Sequence, residues 1–356
     1  MADDSLIEWT DATWNPITGC SVVSAGCKHC YAMKLAGTRM KNEPSRAGLT
    51  IDTAAGPVWN GQVRFNAQWL EQPLRWKRPR RIFVCAHGDL FHESVPDAWI
   101  DRVFAVMALA PQHTFQVLTK RPERMHSYLH DSRYRTALIG IDAASISGLD
   151  RDLPDDSPRW SLPLPNVWLG VSVENQDAAD ARIQLLVATP AAVRWISAEP
   201  LLGPVDLSQW LWNFRSCANC PCPDPEKDLT GLDACCRDPE IADASLQWVV
   251  VGGESGTNSR PMHPEWARSL RDQCADAGVQ FLFKQWGEYG PCELHPPSDP
   301  APYSCVTFSG THLQGEHAVS GGNGPGDNPV EIIARFGKKR AGRLLDGVLH
   351  DGYPTP

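Results

Sequence analysis

The sequence predicts an α/β fold built on a parallel sheet of βα units. Three observations carry the prediction: short apolar runs recur along the chain, helical patterns separate several of them, and polar or small residues follow each run. An early strand near residues 7–15 opens the series. The runs Arg81–Cys85, Thr114–Thr119, Asn166–Val171, Val193–Ser197, Trp248–Gly252 and Val279–Lys284 have the length and the β-branched or aromatic content of buried strands. Trp99, Ile100, Val103, Phe104, Val106, Met107 and Ala110 repeat at helical spacing behind Pro96 and Asp97. Ala178 to Leu186 is a second helical pattern, and Trp266 to Cys274, ended by Gly278, is a third. In parallel βα folds function gathers in the loops after the strands' C-terminal ends. Here those loops carry Gly88 and Asp89, Lys120 and Arg121, Ser172 and Glu174, Ser197 and Glu199, Gly253 and Glu254, and Lys284 and Gln285. Polar groups after every strand, facing one rim, mark that rim as the functional one.

Length and composition set the bounds. The chain has 356 residues, a length common among barrel-type α/β folds. Hydrophobic residues make up 42%, enough for a full core, and many of the 14 tryptophans sit at the edges of apolar runs. No stretch reaches the roughly eighteen apolar residues of a membrane-spanning helix. The acidic start Met1-Ala2-Asp3-Asp4-Ser5 lacks the basic and apolar regions of a signal peptide. With no such signal, 12 cysteines point to the reducing cytoplasm and to metal or redox use. A net charge of −9 argues against a broad nonspecific DNA-binding surface, though not against a local one. The densest basic run, Arg75 to Arg81, reads as a solvated helix end or as a phosphate-contacting patch. Lys338, Lys339, Arg340 and Arg343 form a smaller one.

Cys20, Cys27 and Cys30 fall in one short loop between Gly19 and Ala32. Three thiolates from one loop can hold three irons of a [4Fe–4S] cluster and leave the fourth iron open. Gly19 and Gly26 each precede a cysteine and let the loop fold back on itself. Zinc is the alternative, but it wants four ligands. The nearest fourth, His29, lies between Cys27 and Cys30, where its side chain is expected to point away. A disulfide would leave one cysteine over.

Two segments interrupt the βα pattern. Residues about 141–163 are rich in Asp, Ser and Pro and read as a surface loop. Residues about 208–245 hold a second cysteine group, in which Cys217, Cys220, Cys235 and Cys236 are candidate ligands of a structural zinc; a second iron–sulfur cluster and free thiols are the alternatives. The expected organisation is a barrel unit over 1–290, carrying these insertions, and a Gly- and Pro-rich C-terminal extension over 291–356.

Several stretches carry a resemblance: Trp9–Pro16, the cysteine loop, Gly88–His92, Leu118–Pro122, Gly170–Asn175, Ser197–Leu201, Val251–Ser255, Phe283–Gly287, and the tail from Gly337 to Gly347. Through them the chain resembles a phage- and prophage-associated family of three-Cys-motif proteins, similar to radical SAM enzymes such as spore photoproduct lyase. The resemblance implies a partial (β/α) barrel and an S-adenosylmethionine-dependent radical enzyme. Cys20, Cys27 and Cys30 would hold the [4Fe–4S] cluster, whose open iron binds the amino and carboxylate groups of the cofactor; cleavage of the cofactor yields a 5′-deoxyadenosyl radical. The cysteine spacing departs from the usual pattern, with six residues and then two where the superfamily has three and then two. The resemblance places Tyr31 near the adenine and Gly88 and Asp89 at the methionine ammonium. Ser172 and Glu174 fall at the ribose, and Lys120 or Arg121 at the cofactor carboxylate or a substrate phosphate. Lys120, Glu199, Glu254 and Lys284 remain as candidates for substrate contact or proton transfer, each with a salt bridge on the barrel rim as the alternative. The implied substrate is a nucleic acid or nucleotide, in modification or repair, and the implied partner is a protein encoded by a neighbouring gene. Two competing readings are a non-catalytic, zinc-stabilised protein that binds nucleic acid or protein, and a hydrolase or nuclease with divalent metal on Asp89, Glu174 and Glu199.

Overall fold

The computed structural model describes residues 5, 7–147, 161–211, 245–292, 303–314 and 330–354. Seven strands form one parallel sheet: β1 (Ala12–Trp14), β2 (Arg81–Val84), β3 (Thr114–Thr119), β4 (Val167–Ser172), β5 (Val193–Ala198), β6 (Trp248–Gly252) and β7 (Gln280–Gln285). They lie side by side in chain order, and the sheet curls into a half-barrel. The expected α/β class and partial barrel are therefore present.

Side chains alternate between the faces of a strand, and both faces here are apolar. The outer set, including Ile82, Val84, Phe115, Val117, Leu169, Val171, Ile196, Val249, Val251 and Phe283, belongs to the main core. It packs under α2 (Asp97–Leu109), α3 (Pro122–His130), α4 (Ser132–Ser147), α5 (Gln176–Val187) and α6 (Pro264–Ala277), which follow α1 (Tyr31–Gly37). The inner set begins with a layer of tryptophans, Trp168, Trp195 and Trp248, followed by Val250 and Leu282. Trp9 joins this layer edge-on, with its ring centroid 5.2 Å from that of Trp195. Tyr353 stacks 5.3 Å from Trp248, and Trp248 Nε1 donates to the Gly352 carbonyl at 2.8 Å. Trp9 and Tyr353 thus close the half-barrel at the strands' N-terminal side. Gly170 makes room for this plug: a Cβ there would sit 2.5 Å from the Trp195 ring.

The predicted strands differ from the observed ones by a residue or so at either end, except the first, which shrinks to three residues. The three predicted helices are α2, α5 and α6. Asn175 caps α5 by accepting from Ala178 N at 3.0 Å, and Gly278, at φ 69°, ends α6 in the left-handed region. The surface loop expected over about 141–163 is corrected at its start. α4 runs through Ser147 because Thr136, Ile139 and Ala143, at helical spacing, bury against α2. Residues 148–160 lie outside the described residues, as do Cys217, Cys220, Cys235 and Cys236.

The tail also holds a small antiparallel sheet that its Gly and Pro content conceals. Its strands are β8 (Tyr289–Pro291), β9 (Tyr303–Thr307), β10 (His312–Gln314) and β11 (Val330–Arg335), in the order β8-β11-β9-β10. A boundary at 290 would cut β8. After β11 and α7 (Lys338–Ala341), the chain returns along β7. Phe283 N donates to the His350 carbonyl at 3.0 Å, Gly352 N to the Phe281 carbonyl at 2.9 Å, and Trp286 Nε1 to the Leu344 carbonyl at 2.8 Å. The extension covers the edge strand of the barrel sheet rather than standing apart from it. Among the described residues, no helix is long and apolar enough to cross a membrane.

Candidate active site

A cavity of about 460 Å³ opens where the sheet strands end. Cys20, Cys27 and Cys30 border it, together with Tyr31, Gly88, Asp89, Lys120, Ser172, Glu199, Glu254 and Lys284. The rim that the loop residues marked is thus one continuous wall. His29 borders the same space, where its charged neighbours are Glu254, Arg260, Lys28 and Lys34. Glu174 does not line the cavity. It lies behind the cysteine loop, where a Cβ on Gly26 would sit 3.2 Å from its carboxyl carbon.

The loop owes its path to two close backbone approaches. Gly19 has φ 97°, and a Cβ there would sit 2.2 Å from the Gln62 carbonyl oxygen. Gly88 bridges Gly19, and a Cβ there would lie 3.0 Å from the Ile17 carbonyl oxygen. Tight turns follow, with Cys27 N donating to the Ser24 carbonyl at 3.0 Å and Cys30 N to the Cys27 carbonyl at 3.2 Å. α1 begins at Tyr31, whose hydroxyl donates to the Ala86 carbonyl at 2.8 Å.

Three arginine–carboxylate pairs clamp this loop. Arg121 binds Asp89 at 2.9 Å, and the two side chains are only 5% and 7% exposed. The same guanidinium donates to Cys20 Sγ at 3.5 Å, to Ser21 Oγ at 2.7 Å and to Glu93 at 2.8 Å. Arg182 binds Glu174 at 2.8 Å beneath Gly26. Burial alone would raise the Glu174 carboxyl, but Lys120, a hydrogen bond from Ser24 and Arg182 outweigh it and hold the group below its ordinary range. Arg260 grips Glu254 through Nε at 2.8 Å and NH2 at 2.5 Å, and NH2 also donates to the Ala25 carbonyl at 3.0 Å. The loop is therefore held near Cys20, near Gly26 and at Ala25 by side chains from three different βα loops. Sequence reasoning missed Arg182 and Arg260. The signal was present, since each follows its carboxylate by less than three helical turns, but which arginine reaches back is a tertiary fact.

These pairs redefine the candidate roles. Asp89 Oδ1 accepts from Thr119 Oγ1 at 2.8 Å and Phe91 N at 3.0 Å, and Oδ2 from Arg121 and from Lys120 N at 3.2 Å. Its lone pairs are spent on the scaffold, so the role at a cofactor ammonium does not fit. Glu174 and Glu254 are likewise engaged, so Asp89, Glu174 and Glu199 do not assemble a divalent-metal site. Among the described residues no group of three or more His, Cys, Asp or Glu side chains closes on one point as a single ion requires. What remains open to a ligand is narrower. Lys284 Nζ donates to Glu199 Oε1 at 2.9 Å, and Ser197 Oγ donates to Glu199 Oε2 at 3.2 Å. Gly252 leaves room for that carboxylate, since a Cβ there would sit 2.4 Å from Oε1. The Lys120 ammonium makes no hydrogen bond or ion pair among the described residues. Ser172 and Tyr31 line the wall, and Tyr31 is 50% exposed.

The three loop cysteines are half-buried. Burial, with Asp89 nearby, pushes Cys20 up to about 12 against the pull of Arg121. Burial raises Cys30 as well, against hydrogen bonds from the Met33 and Ala32 backbone. A fourth cavity thiol, Cys85, sits at φ 59°, a strained position for a residue with a Cβ, and burial pushes it up to about 12. The Arg75–Arg81 run lies at the other end of the sheet, because Arg81 begins β2. There Arg81 pairs with Asp11 at 3.0 Å and lies over the Tyr353 ring, and Arg80 lies over Trp76. Lys338, from the second basic run, borders the cavity.

Fold and site together define a βα half-barrel protein with a thiol-lined cavity at the strands' C-terminal ends. The chain belongs to DUF5131, a family of proteins of unknown function, which it matches over residues 4–354. No curated protein and no solved structure matches it.

Proposed function

We propose that the chain is an iron–sulfur enzyme of the radical SAM type that acts on a nucleic acid or nucleotide. The observation that carries the reading is the meeting of three loop thiols with one cavity at the functional rim of a half-barrel. The donor set fits a [4Fe–4S] cluster: three half-buried loop thiols border one cavity, with an arginine donating to one sulfur. Buried thiols ionise when a bound metal stabilises the thiolate. With S-adenosylmethionine bound, such a cluster supplies a carbon-centred radical.

The chain's own residues do the positioning. Arg121 and Arg260 donate to the loop at Cys20–Ser21 and at Ala25, and Arg182 holds the Glu174 carboxylate that lies beneath Gly26, so the thiols keep their place. The tryptophan layer excludes water from the closed end of the half-barrel. Lys284 holds a proton at Nζ against Glu199, facing the cavity, where a reacting group can take it. Lys120, which makes no hydrogen bond or ion pair among the described residues, offers its ammonium to a carboxylate or phosphate.

Anaerobic reconstitution with iron and sulfide tests the reading. The wild type is expected to take up close to four irons beyond any held elsewhere, with a brown charge-transfer absorbance, and the Cys20/Cys27/Cys30→Ala triple variant to lose both. Uptake of zinc alone, with no such absorbance, would favour the zinc-stabilised binding protein instead.

A further inference from the structure

We infer that the apolar end of the cavity is a subsite for the nitrogen-rich aromatic ring of a nucleotide, with Lys120 receiving its phosphate. This rests on the reading of the same cavity as a nucleotide-acting site and assigns that substrate's orientation within it.

The inner face of the sheet is otherwise packed shut: Trp168, Trp195, Trp248, Val250 and Leu282 are all at most 3% exposed. Among the apolar side chains of its strands Phe83 and Leu118 differ, since both remain partly exposed and both border the cavity. They sit on neighbouring strands and in diagonal register, because Phe83 pairs with Gln116. Together they offer a ring a flat apolar floor. Trp9 and Glu8 border the same end. Trp9 is 2% exposed, yet among the described residues its indole N–H has no partner, and Glu8 Oε2 has none either although Oε1 meets Lys338 at 3.2 Å. A buried donor and a buried acceptor left unpaired are costly and call for a ligand that pairs them. A nucleobase edge carries both an acceptor and an N–H, which a plain aromatic ring lacks. Lys120, two residues beyond Leu118, adds a cation with no hydrogen bond or ion pair among the described residues. A flat floor, a paired hydrogen-bonding edge and a cation describe a nucleotide.

The adenosine of the cofactor shares this ring chemistry, so the test separates the two sources. The four common nucleoside 5′-monophosphates, and the matching nucleosides, are titrated by calorimetry into reconstituted protein saturated with S-adenosylmethionine. At least one nucleotide is expected to bind. Phe83→Ala is expected to weaken it roughly tenfold or more, as loss of a stacking face does. Lys120→Gln is expected to weaken the nucleotide several-fold and leave the nucleoside unchanged. Lys120→Gln removes no hydrogen bond or ion pair among the described residues and keeps most of the side chain's volume, so it decides the matter even where Phe83→Ala fails to fold. Three results would overturn the inference: no nucleotide binds, binding ignores both substitutions, or S-adenosylmethionine displaces the nucleotide. Iron content and the spectroscopic response to S-adenosylmethionine are read on the same samples. A responsive cluster without nucleotide binding overturns the subsite alone; absence of the cluster overturns the enzyme reading instead.

Discussion

Arg121→Leu is expected to destabilise the protein by about 3–5 kcal/mol, the cost of stranding a buried charge after its partner is removed. Asp89 would keep its three other donors, Thr119, Phe91 N and Lys120 N, but would lose the only charged one. The double variant Arg121→Leu/Asp89→Asn is expected to regain much of that loss, because no bare charge stays buried. It should not regain the loop's position, since Cys20 and Ser21 still lack their donor. Urea denaturation read beside iron uptake separates the two effects: stability recovers in the double variant while uptake stays low. A single-variant loss under about 1 kcal/mol would place the pair with ordinary exposed salt bridges and remove it as a clamp.

Gly19→Ala carries the second large effect. The substitution forces a side chain onto φ 97° and drives its Cβ to 2.2 Å from the Gln62 carbonyl oxygen, a backbone atom that cannot swing aside. Backbone strain alone accounts for about 1–3 kcal/mol. Gly48→Ala is the control, because Gly48 has φ 77° with nothing within 4 Å of the added Cβ. The excess loss at Gly19 over Gly48 therefore reports the close approach that launches the cysteine loop. Gly26→Ala should fall nearer the control, since its neighbour is the Glu174 side chain at 3.2 Å and its φ carries no strain. Equal losses at Gly19 and Gly48 in thermal unfolding would show that the backbone around Gln62 yields freely.

Much of the barrel was legible because both faces of its strands are apolar. Runs such as Trp248–Gly252 announce themselves as buried strands in either face's pattern, and helices such as α6 carry a clear stop at Gly278. The rim was legible for a topological reason: whatever follows a parallel strand lands at one end of the sheet. What each rim residue does there was not. For Asp89, Glu174 and Glu254 the sequence leaves a ligand-binding role and a rim salt bridge both open, and the structure has them held by Arg121, Arg182 and Arg260. A carboxylate's availability depends on which cation reaches it across the fold, and spacing along the chain does not encode that. The Arg75–Arg81 run is a helix end before a strand, as one of its two readings has it, and such a run lies at the rim opposite the cavity. The tail sheet escaped notice because its strands are short and antiparallel, with partners far apart in sequence.

The central claim is that Cys20, Cys27 and Cys30 present a cluster with an open iron to this cavity. Electron paramagnetic resonance on anaerobically reconstituted, reduced protein, recorded with and without S-adenosylmethionine, tests it most directly. The account predicts a [4Fe–4S]⁺ signal that shifts when S-adenosylmethionine is added and is lost in the triple cysteine variant. A protein with no cluster signal, or a signal indifferent to S-adenosylmethionine, would contradict it and return the three cysteines to a structural role.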